Sequence, residues 1–185
     1  MSRILFFILA SLIISCGRQN SDTSSDNSFP EYATVMEMLD STNDYKDNCV
    51  ELISPDKTNT HVRVSSEFLK DESESSIKDQ VKRDIIYVTF QTFAETDLDK
   101  ITVTAIPIVR SSFNPNDTYD GRLNESLKQT VTTTRTDGME ILKKYLGTSS
   151  FKDLYSLDGT IYLPNDNFDK LKFEELDKVF SDLNK

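Results

Sequence analysis

Glycine is scarce in this sequence, which has only five glycines among 185 residues. Phosphate-binding loops need closely spaced glycines, because their backbone N–H groups must approach the phosphate without interference from side chains. None of the five glycines has the spacing of a P-loop or of a dinucleotide-binding turn. The sequence therefore predicts no nucleotide or dinucleotide cofactor, and we expect no cofactor of any other kind.

Histidine is nearly absent, since His61 is the only one. It could act as a base for Cys49, but no local pattern supports that geometry. No serine lies in a glycine-flanked nucleophile turn either. His61 belongs to an alternating segment, Thr60–Val64, and lies on the face opposite the valines. We interpret it as an exposed strand histidine and predict no catalytic residue.

The amino terminus carries a hydrophobic run that is too short to cross a membrane. Arg3 and the amino group form a positive end, and residues 4–14 contain no charge. A transmembrane helix needs about 20 apolar residues, whereas the apolar region of an export signal has about 7 to 15. The run is therefore typical of a cleaved export signal.

The end of this run, Ile13-Ile14-Ser15-Cys16, resembles the lipobox of bacterial lipoproteins. The resemblance implies a diacylglycerol on the sulfur of Cys16, cleavage before it and acylation of the new amino terminus. Several acyl chains, at about 0.8 kcal/mol per buried methylene, would anchor the protein stably to a membrane. Cys16 is therefore the predicted lipidation site. The alternative is an ordinary secretory signal in which Cys16 is incidental.

The residue after Cys16 bears on where the anchor would lie. In enteric-type lipoproteins an aspartate at this position favours retention in the inner membrane, and here the residue is Gly17. The resemblance thus implies a bacterial cell-envelope location, with the outer membrane favoured over the inner membrane.

Cys49 would be the only free thiol if Cys16 carries lipid. No intramolecular disulfide could then form, and we interpret Cys49 as a small buried residue. One histidine and one cysteine cannot supply the three or four nitrogen and sulfur ligands of a zinc site. The sequence therefore predicts no transition-metal site.

The chain is strongly acidic, with 31 acidic and 21 basic side chains and a net charge of −10. Cleavage after Ser15 would remove Arg3 and no acidic residue, which makes the net charge −11. Such a surface repels phosphate groups, so nucleic acid is not an expected partner.

The chain is predicted to have three regions. Residues 1–15 are the cleaved signal, and residues 16–29 are too poor in apolar side chains to fold, so they form a flexible tether. Residues 30–185 are enough for one domain with its own core. No internal repeat or second linker divides them.

The apolar spacing of residues 30–185 predicts a mixed α+β domain. A helix is expected from Pro30, and a hairpin is expected to join residues 50–53 to 61–64. Residues 84–93 and 101–109 are dense in β-branched and aromatic side chains, so they are predicted to be strands that pair antiparallel. Pro107 suggests an edge or a bulge in the second of them.

The remaining sequence adds a third strand over residues 126–136 and then becomes helical. Asp137 and Glu140 have the spacing of a capping box, and Gly147 would end that helix. A final amphipathic helix is expected over residues 173–183. The predicted fold is α+β, with an antiparallel sheet of three to five strands, helices packed on one face and a helical C-terminal third.

Two loops have oxygen-bearing side chains at a spacing that calcium can use. Four residues of the first loop match early positions of a calcium-binding loop: Asn116, Thr118, Asp120 and Gly121. Leu127 stands where that loop needs a glutamate. In the second loop, residues 165–169, Lys170 follows where a glycine is needed. We interpret the first as a turn and the second as a helix cap, and we predict no metal site.

The third predicted strand is unusually polar, because it contains Thr130-Val131-Thr132-Thr133-Thr134. An exposed strand of this kind could present an edge to a protein partner. The alternative is a solvent-facing strand with ordinary β propensity.

Taken with the predicted anchor, these features favour a membrane-anchored, non-catalytic binding or interaction module of the cell envelope, with a possible protein partner there. One alternative is an inhibitor or immunity lipoprotein, since a compact acidic domain could neutralise a basic toxin or enzyme. The other is a carboxylate-based hydrolase, which would require His61 to lie beside two buried acids.

Overall fold

A computed structural model describes residues 28–185 of the chain and confirms the α+β class. The helices of this part are α1 (Val35–Thr42), α2 (Glu74–Glu95), α3 (Arg135–Leu146), α4 (Asp166–Asp169) and α5 (Leu176–Leu183). The strands are β1 (Val50–Ser54), β2 (Thr60–Val64), β3 (Glu67–Leu69), β4 (Lys100–Ala105), β5 (Ile108–Arg110), β6 (Arg122–Leu123), β7 (Gln129–Thr134), β8 (Tyr155–Asp158) and β9 (Ile161–Pro164).

The main sheet has four strands in the order β1-β2-β4-β7. The predicted hairpin is confirmed, because β1 and β2 pair antiparallel. β4 pairs antiparallel with β7 but parallel with β2, so the sheet is mixed rather than wholly antiparallel. Residues 60–64 therefore reach their neighbour β4 through the long crossover that contains α2, as parallel pairing requires.

The predicted strand at residues 84–93 is wrong, because these residues form the second half of α2. The helix begins where the Ser73 hydroxyl accepts a hydrogen bond from the Ser76 amide, at 3.1 Å. It continues for 22 residues without a glycine or proline. Its second half is buried on nearly all sides, which explains the dense β-branched and aromatic residues and hides the helical period. The predicted antiparallel pairing with residues 101–109 is wrong for the same reason.

Pro107 interrupts the predicted strand at residues 101–109 and separates β4 from β5. The parallel ladder continues across the break, since the amide of Ile108 donates to the carbonyl of Ser66 at 2.9 Å. β5 then pairs with β3 and β6 in a second, three-stranded sheet. The proline thus marks a change of sheet, which is the kind of irregularity expected of a residue that cannot donate to a ladder.

The first helix begins later than predicted. The Thr34 hydroxyl accepts a hydrogen bond from the Glu37 amide at 3.1 Å, so the helix starts at Val35 rather than near Pro30. It ends at Asn43, which has a left-handed backbone with φ of 53°. Asparagine tolerates this conformation better than most residues, so the chain turns here toward the main sheet.

The core lies between α2 and one face of the main sheet. Val62, Val103 and Val131 are aligned across three neighbouring strands and are at most 3% exposed. The opposite face carries His61 and polar side chains, among them Thr102. Alternation along the strands thus places the three valines toward α2, and His61 and Thr102 away from it.

The cap of α3 lies three residues before the predicted one. Thr134, not Asp137, is the N-cap, and its hydroxyl accepts from the Asp137 amide at 3.1 Å. Asp137 in turn occupies the position that the prediction gave to Glu140. Thr134 is both the last residue of β7 and the cap of α3, so no loop separates the strand from the helix. Gly147 ends the helix with φ of 76°, as predicted.

The C-terminal third is helical, as predicted, and includes the hairpin β8–β9. α4 leads into a π-helical turn, Lys170–Glu174, before α5. Phe168 of α4 is fully buried, whereas Phe173 in the π-helical turn is 55% exposed. The wider turn shifts Phe173 away from the face that continues along α5, so the final helix is shorter than predicted.

Gly138 is the point at which α3 approaches the aromatic core most closely. A Cβ atom there would lie 3.1 Å from Phe151 Cζ and 3.2 Å from Phe93 Cδ2. Gly138→Val is therefore expected to lower the free energy of unfolding by about 2 kcal/mol, because the rings must move to admit the side chain. Urea denaturation would measure the change. Gly159→Val is the comparison without crowding, since nothing lies within 4 Å of a Cβ atom there. Because Gly159 has φ of 62°, that variant measures the cost of backbone strain alone.

Candidate ligand-binding cavity

A stripe of polar side chains runs along the buried half of α2. Five residues form it, spaced by three or four positions along the helix: Gln80, Asp84, Tyr87, Gln91 and Glu95. This spacing places them on one side of a helix. Residues 84–93 fit a strand period as well as a helical one, and the stripe is visible only when they are known to be helical. Asp84 and Glu95 are only 4% and 3% exposed.

A cavity of about 470 Å³ lies at the Glu95 end of the stripe. Ligand sites commonly have volumes of about 300 to 1,000 Å³. The amino-terminal segment, the end of α1, α2 and the hairpin β8–β9 enclose it. The lining residues are Ser28, Pro30, Tyr32, Ser41, Thr42, Asp44, Tyr87, Gln91, Glu95, Tyr155, Thr160, Ile161, Tyr162, Leu163 and Pro164.

Backbone and ring contacts fix the amino-terminal wall of the cavity. The amide of Tyr32 donates to the carbonyl of Glu95 at 2.7 Å, which ties this segment to the end of α2. The ring of Phe29 packs edge-on against Tyr155 and Tyr162, with centroids 5.3 and 5.0 Å away. Phe29, placed at the end of the predicted tether, is therefore part of the packed structure.

The Glu95 carboxyl group is the floor of the cavity. Burial raises the pKa of Glu95 from 4.5 to about 7, and the nearby Tyr155 hydroxyl and Gln91 amide oppose this shift only in part. The negative charge of Asp44 raises the pKa further. Gln91 Nε2 lies 3.4 and 3.5 Å from the two carboxylate oxygens, so both bonds are long. The charged form of Glu95 is thus only weakly compensated by the protein.

A buried acceptor beside Glu95, Gln91 Oε1, lacks a hydrogen-bond partner among residues 28–185. Gln91 is 1% exposed. The Tyr155 hydroxyl is also buried, but it interacts with the Glu95 carboxyl group. A buried polar group without a partner destabilises a protein by about 1–3 kcal/mol. Such groups are therefore expected where a ligand completes the hydrogen bonding.

Asp84 forms a different, fully bonded site at the other end of the stripe. Its carboxylate accepts hydrogen bonds from the Ser66 hydroxyl at 2.7 Å and from Gln80 Nε2 at 2.9 Å. Burial nevertheless raises the pKa of Asp84 from 3.8 to about 6, against the effect of these bonds. A neighbouring cavity of about 360 Å³ includes Asp84 but also Arg83 and Lys172. Asp84 thus links α2 to Ser66, which lies between β2 and β3.

Asp44 lies at the rim between the two cavities and lines both. It accepts a hydrogen bond from the Tyr87 hydroxyl at 2.6 Å. Burial and this carboxylate raise the pKa of Tyr87 far above its usual range. The Tyr87 hydroxyl therefore remains a neutral donor at any physiological pH.

His61 does not lie near this cavity. Its Nε2 atom is 2.9 Å from Thr104 Oγ1, on the face of the main sheet opposite α2. Burial lowers the pKa of His61, so the imidazole is mainly neutral at pH 7. The sheet separates His61 from Asp84 and Glu95, and the arrangement required by the hydrolase hypothesis is therefore not formed.

The two cysteines and the predicted calcium loops have separate positions. Cys49 is a free thiol that is 2% exposed, which confirms the predicted buried residue. Cys16, the predicted lipidation site, lies outside the described residues.

The two loops with calcium-like spacing form ordinary protein contacts. Asp120 accepts hydrogen bonds from the Ser111 amide, and Asn165 caps α4 as predicted. Across residues 28–185, no three metal-ligating side chains cluster in a way that could hold an ion.

The threonine-rich strand β7 forms an edge of the main sheet, because it pairs with β4 alone. Gln129, Thr130 and Thr132 are exposed. Thr130 and Thr132 share hydrogen bonds of 2.8 Å with Thr104 and Thr102 on β4. Both interpretations of this strand therefore remain compatible with the structure, since it is polar and solvent-facing and also presents an edge.

Comparisons of this chain with protein-family models, curated protein sequences and solved structures gave no match. In the part of the chain from residue 28 onward, no helix has the length and apolar character needed to cross a membrane.

Proposed function

We propose that this protein is a lipid-anchored binding protein of the bacterial cell envelope that holds a small ligand in the Glu95 cavity. The observation that carries the proposal is an unpartnered buried acceptor, Gln91 Oε1, beside a weakly compensated carboxyl group. A site kept for stability alone would be expected to satisfy these groups or to replace them with apolar side chains.

The anchor part of the proposal is supported by the sequence around Cys16. Acylation there, with cleavage after residue 15, would attach the protein to a membrane, and the outer membrane is favoured by Gly17. The acidic surface argues against nucleic acid as the ligand. Binding a ligand does not require side chains that react with it. We propose that the protein is non-catalytic.

Native mass spectrometry of the full-length protein, extracted from bacterial membranes in mild detergent, tests both parts. Wild type is expected to have a mass that starts at Cys16 with added acyl chains, and Cys16→Ser is expected to lack them. Wild type is also expected to retain a small molecule that Gln91→Met loses, because methionine has no oxygen acceptor. An unmodified mass in wild type would contradict the anchor.

Gln80→Met is the matched control, because Gln80 lies on the same helix but bonds to Asp84 outside the Glu95 cavity. It is expected to retain the small molecule. Equal retention by wild type and Gln91→Met, or an empty wild-type protein, would contradict the proposed ligand site.

A second candidate, the inhibitor or immunity lipoprotein, is supported by the exposed edge of β7. A partner strand could pair with this edge through backbone hydrogen bonds. Thr132→Lys is expected to weaken cross-linking to such a partner, since a charged side chain on an edge opposes strand addition. Unchanged cross-linking yield in Thr132→Lys, with Asp158→Lys as the exposed control, would exclude β7 as the binding surface.

A further inference from the structure

The charge of the cavity lining selects against anions. Asp44 and Glu95 contribute two carboxyl groups, and none of the fifteen lining residues within the described chain is Lys, Arg or His. An anionic ligand would be repelled, whereas a cation would compensate the buried Glu95 carboxylate. The neighbouring cavity around Asp84 differs, because Arg83 and Lys172 already supply positive charge there.

Tyrosine rings make up much of the wall. Tyr32, Tyr87, Tyr155 and Tyr162 line the cavity, which is four of the seven tyrosines in the chain. The faces of such rings attract cations and also pack well against hydrocarbon. The Tyr87 ring is already in contact with Phe168 and Lys172, with Lys172 Nζ 5.1 Å from its centroid, so the proposed ligand site depends on the rings of the other three tyrosines.

The unpartnered acceptor defines the kind of cation. Gln91 Oε1 requires a donor, and the bonds from Gln91 Nε2 to the two Glu95 oxygens are long. A primary or secondary ammonium group has N–H donors for these oxygens. A quaternary ammonium ion has none and would leave Gln91 Oε1 unpaired.

We propose that the ligand is a primary or secondary organic ammonium ion, with its nitrogen beside Glu95 and Gln91 and its carbon skeleton against the tyrosine rings. This inference rests on the proposed function, because it assigns the chemistry of the ligand to the same cavity. It is distinct from the anchor, which involves only Cys16.

Isothermal titration calorimetry of the full-length protein in detergent at pH 7.5 tests the charge of the ligand. The probes are hexylamine and tyramine, with hexan-1-ol and tyrosol as neutral analogues of the same shape. The amines are expected to bind at least about tenfold more tightly than the alcohols, which is the difference expected for one charge-assisted hydrogen bond. Equal affinities would overturn the ammonium assignment.

Glu95→Gln is expected to weaken hexylamine binding by about tenfold or more, because it removes the charge that faces the nitrogen. Asp84→Asn is the matched control, since Asp84 is a buried carboxyl on the same helix outside this cavity. It is expected to leave the affinity within about twofold of wild type. An equal loss in both variants would overturn the assignment of the nitrogen to Glu95.

Tetramethylammonium tests the need for N–H donors. It is expected to bind at least about tenfold more weakly than hexylamine, and equal binding would overturn that part of the proposal. Failure of both amines to bind would overturn the ammonium class. The broader proposed function has its own test, because a small molecule retained by wild type and lost by Gln91→Met would still identify the cavity as a ligand site of different chemistry.

Discussion

Arg135→Met is expected to lower the free energy of unfolding by about 3 kcal/mol, because Arg135 bonds the carbonyl groups at the end of α2. Its guanidinium donates to the carbonyls of Phe93 and Thr96, each at 2.6 Å, and to that of Leu98 at 3.0 Å. The last carbonyls of a helix have no partners within the helix, and they carry partial negative charge. Methionine keeps part of the apolar stem but none of the donors. Denaturation in urea would measure the loss.

Arg135 also bears on the cavity, since Glu95 lies between Phe93 and Thr96. Loss of the guanidinium is therefore expected to loosen the end of α2 and to weaken ligand retention. Arg122→Met is the control, because Arg122 is exposed on β6. We expect that variant to unfold within about 0.5 kcal/mol of wild type. Equal stability of the Arg135 and Arg122 variants would contradict the assigned role.

The second large effect is an unusual dependence of stability on pH. Folding raises the pKa of Asp84 from 3.8 to about 6 and that of Glu95 from 4.5 to about 7. Both carboxyl groups therefore bind their protons more tightly in the folded chain than in the unfolded chain. The stability that this provides is lost as pH rises from the unfolded pKa values, 3.8 and 4.5, through the folded values of about 6 and about 7. The free energy of unfolding is expected to fall by about 3 kcal/mol between about pH 5 and pH 7.5.

Other carboxyl groups act in the opposite direction at lower pH. The hydrogen bond from Lys144 lowers the pKa of Asp182, so the stability that this group provides is lost as pH falls toward its folded value. Maximum stability is therefore expected near pH 4, where the two effects balance. Thermal unfolding at a series of pH values would locate the maximum.

The variant Asp84→Asn/Glu95→Gln tests the source of this slope. It is expected to lose more than half of the decrease in stability between about pH 5 and pH 7.5, because neither amide titrates. Asp158→Asn changes a carboxyl that is exposed in the hairpin and is expected to keep the wild-type slope. An unchanged slope in the double variant would show that other groups cause it.

Part of the fold could be predicted from sequence because several local signals agreed with the final structure. Gly147 ends α3 with a left-handed backbone, and Pro107 marks the break between β4 and β5. The alternation from Thr60 to Val64 placed His61 on the correct face of β2. These features depend on neighbouring residues, so a single sequence contains them.

The second half of α2 could not be predicted in the same way, because burial on nearly all sides removes the contrast between polar and apolar faces. Ile86, Val88 and Phe90 fit a strand period as well as a buried helix. The polar stripe from Gln80 to Glu95 was the contrary signal, and it requires the helix to be recognised first. The parallel pairing of β2 with β4 depends on the same crossover.

The cavity was missed for a related reason. Glu95, Tyr32 and Tyr155 come from three distant parts of the chain, and only the packed structure brings them together. With 31 acidic residues in the sequence, no single carboxyl could be distinguished in advance. Burial makes the difference, since it raises the pKa of Glu95 and leaves Gln91 Oε1 without a partner among residues 28–185.

The proposed ligand site depends on Glu95 being a buried, weakly compensated carboxyl group at the floor of the cavity. Titration of its side-chain carboxyl carbon by nuclear magnetic resonance, with Glu95→Gln to assign the signal, tests this claim most directly. We expect a pKa of about 7, which hexylamine should lower by stabilising the charged form. A pKa near 4.5 that hexylamine leaves unchanged would mean that Glu95 is solvated and does not bind the amine.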